Sequence, residues 1–193
     1  CWSAARSTRM SPLSSEDRRA LLDLARRAIA EAVCRGPALD LPELRGALAE
    51  PAGAFVTLHR QGKLRGCIGQ IGALEPLGRA VADCAARSAV EDLRFDPVRE
   101  EEVAELEIEI SILSPLEEIV PEQVEAGRHG LVVVCGNHRG LLLPQVATEH
   151  HWGRERFLEE TCAKAGLERD AWRHPATQLL AFTAEVFSES DLR

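Results

Sequence analysis

The run from Leu106 to Leu113 constrains this chain more than any other stretch. Leu106, Ile108, Ile110 and Ile112 alternate with Glu107, Glu109 and Ser111. Side chains of an extended segment point alternately to opposite faces, so the four apolar residues share one side and the polar ones the other. Such a strand puts one face on a core and turns the other to water or a cleft. The chain therefore has to build a half-buried sheet, and 193 residues are enough for one large domain or two small ones.

Other segments supply the rest of such a fold. Ser14 with Asp17 makes a capping box, and Leu21, Leu22, Ala25, Ala28, Ile29, Ala32 and Val33 recur at helical spacing up to a stop at Gly36–Pro37. Arg18, Arg19, Asp23, Arg26 and Arg27 fall on the side of this helix facing water. A short helix is expected within Pro42–Ala49. Phe55–Leu58 reads as a strand leading into a hairpin tip at Gln61–Gly62. Glu75–Pro76 opens a helix whose buried stripe is Leu77, Ala80, Val81, Cys84 and Ala85. A second hairpin, Leu131–Cys135 and Gly140–Leu143, turns at Gly136–Asn137. Pro144–Gln145 ends it before a helical region capped at Lys164–Ala165–Gly166. Thr177–Phe187 reads as a last strand with Leu180, Phe182, Ala184 and Val186 on one face. No internal repeat stands out. Hairpins interleaved with helices predict an α+β fold with mixed, largely antiparallel sheets layered with helices.

Composition narrows the function. The net charge is −8, from 31 acidic and 23 basic residues, which opposes nucleic-acid binding because that affinity comes mostly from Lys and Arg on phosphates. Eight aromatic residues leave few stacking platforms for single strands. No apolar run approaches the ~18–20 residues of a membrane span, and residues 1–13 lack a signal-peptide core, so a cytoplasmic protein with no membrane partner is expected. Met10 is the only methionine, and residues 1–12 are expected as a flexible tail ahead of a domain over 13–193. The six cysteines, at positions 1, 34, 67, 84, 135 and 162, form no C-x-x-C pair. Reduced thiols are therefore expected, with no metal and no cofactor.

Cys67 differs from the other thiols because it lies between Gly66 and Gly69, two residues from Arg65. Glycines here indicate irregular backbone or a close approach. A thiolate is the reactive form of cysteine and cationic neighbours favour it. Arg65 would share a face with Cys67 on a regular strand. The Asp92–Pro97 loop offers Arg94, and His129 could serve as base. Backbone N–H groups around Gly66–Gly69 could hold an oxyanion or phosphate. Glu107, Glu109 and Gln145 complete the candidate substrate-binding set. Cys67 and His129 are thus the candidate catalytic pair, and Arg65, Gly66, Gly69, Arg94, Glu107, Glu109 and Gln145 the candidate contacts to a small polar or anionic metabolite. Each residue also has an ordinary role: Cys67 filling space, Arg94 pairing with an acid, His129 capping a turn. The competing function is a noncatalytic ligand- or protein-binding module with Trp152, His150, His151 and Trp172 as an exposed anchor.

The ordered segments Leu64–Gly69, Asp92 with Arg94, Phe95 and Pro97, Glu109–Leu113, His129–Gly130, Leu142–Val146, Glu149 with Trp152, and Phe157–Leu158 through Cys162 and Lys164–Leu167 together resemble the AMMECR family, also known as protein A of the AmmeMemoRadiSam system. The resemblance runs from about residue 13 to 190, with Leu93 in place of a common proline. It implies two closely packed, intertwined α+β subdomains and assigns no settled reaction. It also implies a place beside a Memo-type protein and a radical SAM protein as pathway partners.

Overall fold

The computed structural model describes residues 11–34 and 41–192. Met10, residues 1–10 of the expected tail and the Gly36–Pro37 stop lie outside the described residues. Ser11, at the end of that expected tail, donates from its backbone N–H and its hydroxyl to Glu50 at 2.9 and 2.7 Å.

Four α-helices are described, α1 (Ser15–Val33), α2 (Leu77–Val90), α3 (Pro144–Glu149) and α4 (Arg154–Lys164). The eight strands are β1 (Gly53–Arg60), β2 (Lys63–Gln70), β3 (Leu106–Leu113), β4 (Glu117–Glu118), β5 (Gly130–Cys135), β6 (His138–Leu142), β7 (Gln178–Phe182) and β8 (Ala184–Ser188). They form two four-stranded sheets, ordered β2-β1-β3-β8 and β4-β7-β5-β6. The chain divides into a larger unit, running to Leu113 and resuming at Glu185, and a smaller one, Ser114–Ala184. The fold is α+β, as the sequence pattern predicts.

In the larger unit α1 starts at the predicted box: the Asp17 N–H donates to Ser14 Oγ at 3.1 Å, and the Ser14 N–H donates to Asp17 at 2.8 Å. These bonds satisfy backbone donors that the first helical turn leaves open. They also hold the Asp17 carboxyl below its ordinary range. α1 and α2 pack over one face of the sheet, where Ala54, Val56, Leu58, Ile108 and Ile110 are fully buried. The predicted stripe Leu77, Ala80, Val81, Cys84 and Ala85 is fully buried too, and that burial pushes the Cys84 thiol up to about 12. Within Pro42–Ala49 the structure holds a single 3₁₀ turn, Gly46–Ala49. Arg26 departs from the expected water-facing set. Its guanidinium pairs with Glu189 at 2.6 Å and donates to the carbonyls of Val103 and Leu106, tying α1 to the start of β3 and to the residue that follows β8.

The smaller unit repeats the same scheme, which the sequence does not display as a repeat. In each unit a hairpin (β1–β2, β5–β6) is followed by helix and then by a strand antiparallel to the hairpin's first member (β3 beside β1, β7 beside β5). β2 and β3 both oppose β1, so they run parallel to each other with β1 between them. The fourth strand of each sheet comes from beyond the other's third. β3 leads into β4, which pairs with β7, and β7 leads into β8, which lies beside β3. At this exchange the Ser114 N–H donates to the Thr183 carbonyl at 2.8 Å, and the Thr183 N–H donates to Ser114 Oγ at 2.9 Å. The expected single strand Thr177–Phe187 is therefore two strands broken at Thr183. Leu179 and Ala181 face the smaller core and Phe187 the larger one, so the expected face of Leu180, Phe182, Ala184 and Val186 is not the core face: Leu180 is half-buried and Val186 exposed.

Candidate functional site

The hairpin tip at Gln61–Gly62 has positive φ at both residues, 53° and 73°, the geometry of a tight two-residue turn. It pairs Arg60 with Lys63 and His59 with Leu64, but Leu58 then faces Gly66 and Thr57 faces Cys67. Arg65 is the extra residue of a β-bulge. A regular ladder from this tip would set Cys67 opposite Val56, on the side where α1 and α2 pack. One inserted residue moves Cys67 to the face opposite α1 and α2, because side chains alternate with period two.

Each neighbour in the motif maintains that displacement. The Arg65 guanidinium donates to Glu102 at 3.0 and 3.2 Å and to the carbonyls of Asp96 and Pro97 at 2.9 and 3.3 Å. Glu102, 3% exposed, also accepts from Arg60 at 2.7 Å and from the Arg99 N–H at 2.9 Å. Arg65 first, then the Arg99 N–H and Arg60, hold its carboxyl down to about 2. Arg65 thus anchors the bulge, and the expected regular-strand sharing of a face with Cys67 fails because of that bulge. Gly66 lies under α2, where an added Cβ would stand 2.2 Å from the Ser88 carbonyl oxygen. Ser88 Oγ accepts from the Ile68 N–H and donates to the Val56 carbonyl, both at 2.8 Å, so one hydroxyl of α2 bridges β1 and β2. At Gly69 a Cβ would meet the Phe55 ring at 2.2 Å, because that ring lies across the glycine from the paired strand.

β2 is an edge strand, and a bare edge leaves backbone donors and acceptors unpaired. At Cys67 the Asp92–Arg94 pair covers it. The Cys67 N–H donates to Asp92 Oδ2 at 2.8 Å, and Arg94 Nη2 donates to the Cys67 carbonyl at 3.3 Å. Arg94 binds Asp92 through Nη2 at 2.7 Å and Nε at 2.9 Å, and its own N–H donates to Oδ1 at 3.1 Å. Those bonds, with the Cys67 N–H, hold the Asp92 carboxyl down to about 2. The expected oxyanion site at Gly66–Gly69 is accordingly closed at Cys67 and Ile68, whose N–H groups bind Asp92 and Ser88. Leu93, at the family's proline position, is fully exposed.

On the face opposite α1 and α2, Thr57 sits between Cys67 on β2 and Glu109 on β3, and His59 between Leu64 and Glu107 in the next rung. Directly opposed residues have Cβ atoms about 5 Å apart. Thr57 Oγ1 donates to Cys67 Sγ at 3.3 Å. The sequence pattern places Glu107 and Glu109 on one face and singles out Cys67, but the hairpin tip alone gives a register one residue off, so it neither brings Cys67 to this face nor finds Thr57 and His59. His129 and Gln145 belong to the smaller unit. His129 Nδ1 accepts the Glu125 N–H at 3.1 Å, the turn-capping role, and Gln145 lies in the first turn of α3. Trp152 and Trp172 pack against the smaller core, which opposes the expected exposed anchor. His150 stacks on Trp152 at 4.6 Å, and Arg173 lies over Trp172 at 4.0 Å. Among the described residues no cluster of three or more His, Cys, Asp or Glu has metal-holding geometry, and no helix is long and apolar enough to cross a membrane.

Residues 22–187 match the AMMECR1 family profile. The chain belongs to the AMMECR1 family. It is 46% identical to a protein of Thermococcus gammatolerans over 181 residues, covering 88% of each chain. It is 41% identical to one of Methanothermobacter thermautotrophicus over 187 residues, covering 93% of this chain and 97% of that one. The crystal structure of an uncharacterised Pyrococcus horikoshii protein superposes with a TM-score of 0.81 at 45% identity, covering 88% of this chain and 89% of that one. This AMMECR1 member therefore shares its fold with a solved archaeal relative, and the bulged cysteine hairpin lies inside the matched region.

Proposed function

We propose that this AMMECR1 protein is an enzyme whose Cys67 thiol reacts with a small polar metabolite on the face of the larger sheet opposite α1 and α2. One observation carries the reading. A single inserted residue takes Cys67 out of the helix-covered side of the sheet and sets it beside Thr57 and Glu109. Bulges that re-aim a side chain recur next to active sites. The smaller sheet supplies a comparison. Gly140, like Gly66, lies under helix backbone, where an added Cβ would stand 2.4 Å from the Ala165 nitrogen. The rung beyond it, which corresponds to Cys67–Thr57–Glu109, is Leu141–Val132–Leu180. The same scaffold is built without thiol, hydroxyl or carboxylate there, so the fold does not require them. Arg65 and Arg94 are already paired with Glu102 and Asp92, which makes a polar metabolite a better fit than a strongly anionic one.

A second reading has its own support. Arg65, Gly66, Asp92 and Arg94 all have structural employment, as expected of a noncatalytic module that binds a ligand or a protein of the same system. In either case Memo-type and radical SAM proteins are the proposed partners, on the family's association alone.

Incubation with a protein-free small-molecule extract of cells carrying the protein, followed by mass spectrometry, separates the two. The enzyme reading expects wild type to deplete specific polar metabolites and Cys67→Ala to deplete none. Equal depletion by both removes the thiol from the chemistry. Retention of a metabolite without conversion favours the module.

A further inference from the structure

Resting on the reading of Cys67 as the reacting thiol, we infer that Thr57 is its catalytic donor, a hydroxyl that binds the sulfur and favours its anionic form. Thr57 Oγ1 donates to Cys67 Sγ at 3.3 Å. The contact follows from register: the bulge at Arg65 pairs Thr57 with Cys67 in place of Gly66, and the pair shares the face opposite α1 and α2. Arg94 touches the Cys67 carbonyl and Arg65 binds Glu102, so the charged groups of the motif act on backbone and bulge. Within this unit the titratable groups facing the thiol are Glu109 and Glu107 from β3 and His59 from β1, with Asp92 on the backbone of the same residue. Thr57 is the group whose hydrogen reaches sulfur. It keeps its proton throughout. The thiol proton leaves to solvent, and the sulfur lone pair forms the new bond.

Such a donor has two opposing effects. Hydrogen bonding to the charged form favours it, so a tenfold preference raises the thiolate fraction by up to about tenfold while the thiol is mostly protonated. The same stabilisation makes each thiolate a weaker nucleophile, by about threefold for a Brønsted coefficient of ~0.4–0.5. The net gain is up to about threefold while the thiol is mostly protonated, and it becomes a loss of about threefold once the thiol is ionised with or without the donor. A residue that merely holds the strand in place gives no such inversion.

The test is alkylation by iodoacetamide, in which sulfur displaces iodide, with Cys67 and the exposed Cys34 quantified by peptide mass spectrometry in the same tube. Thr57→Val keeps the β-branched shape and removes the donor. It is expected to slow Cys67 about twofold relative to Cys34 near pH 7.5 and to speed it about threefold near pH 10. Thr57→Ala repeats the inversion, and Thr57→Ser restores wild-type rates at both. A change of the same sign at both pH values, or failure of serine to rescue, overturns the assignment. If the inversion is absent while wild type still converts metabolites through Cys67, the donor role falls and the enzyme reading stands. If the inversion is present without conversion, the donor role stands and the enzyme reading falls.

Discussion

Gly66→Ala is expected to lower the free energy of unfolding by about 3–5 kcal/mol in urea, the sum of an overpacking cost and two weakened hydrogen bonds. The added methyl would stand 2.2 Å from the Ser88 carbonyl oxygen and 3.2 Å from its carbon, and both are backbone atoms of α2. No side-chain rotamer relieves such a contact. Either the helix withdraws or β2 moves. Withdrawal pulls Ser88 Oγ from the Ile68 N–H and the Val56 carbonyl, which then face each other across a widened ladder. Movement of β2 disturbs the Asp92 contact with the Cys67 N–H. A loss below about 1 kcal/mol would show that α2 does not press on this glycine.

Ile110→Ala is expected to cost about 2–4 kcal/mol, from the lost transfer free energy and the cavity left behind. Ile110 is fully buried on β3, which is flanked by β1 and β8, and it pairs with Val56, also fully buried. The site can collapse only a little, because α1 and α2 pack over that face. Urea unfolding reads the loss directly, and a value under about 1 kcal/mol would take this strand out of the core.

The alternation of Leu106–Leu113 made the sheet and its core face legible, since period two leaves no other arrangement for four apolar residues. Ser111 on the polar face is 1% exposed, however, so that face is not turned to water along its whole length. The capping box at Ser14, the tip at Gln61–Gly62 and the cap at Gly166 were legible for a similar reason: each uses local bonds or a positive φ that few residues supply. The site was legible in its parts and not in its arrangement. Arg65 and Cys67, two residues apart, suggest a shared face. The bulge cancels that inference, and nothing local announces it, because it is held by Glu102 and the Asp96–Pro97 carbonyls some 31–37 residues on. Thr57 escaped notice because its partner depends on the same shift. The break at Thr183 was hidden by alternation that continues on either side of it, and it is fixed by Ser114, 69 residues earlier.

The comparison of Cys67 with Cys34 tests the central claim most directly. Cys34 is exposed and Cys67 half-buried, so reactivity set by access alone would run in that order, with buried Cys84 and Cys162 last. A sulfur turned out of the core beside a donating hydroxyl is expected to reverse the first two. Peptide mass spectrometry after brief iodoacetamide treatment near neutral pH should find Cys67 carboxamidomethylated before Cys34. Labelling of Cys34 first, with Cys67 following only as the protein unfolds, would contradict the account and leave Cys67 a packed structural residue.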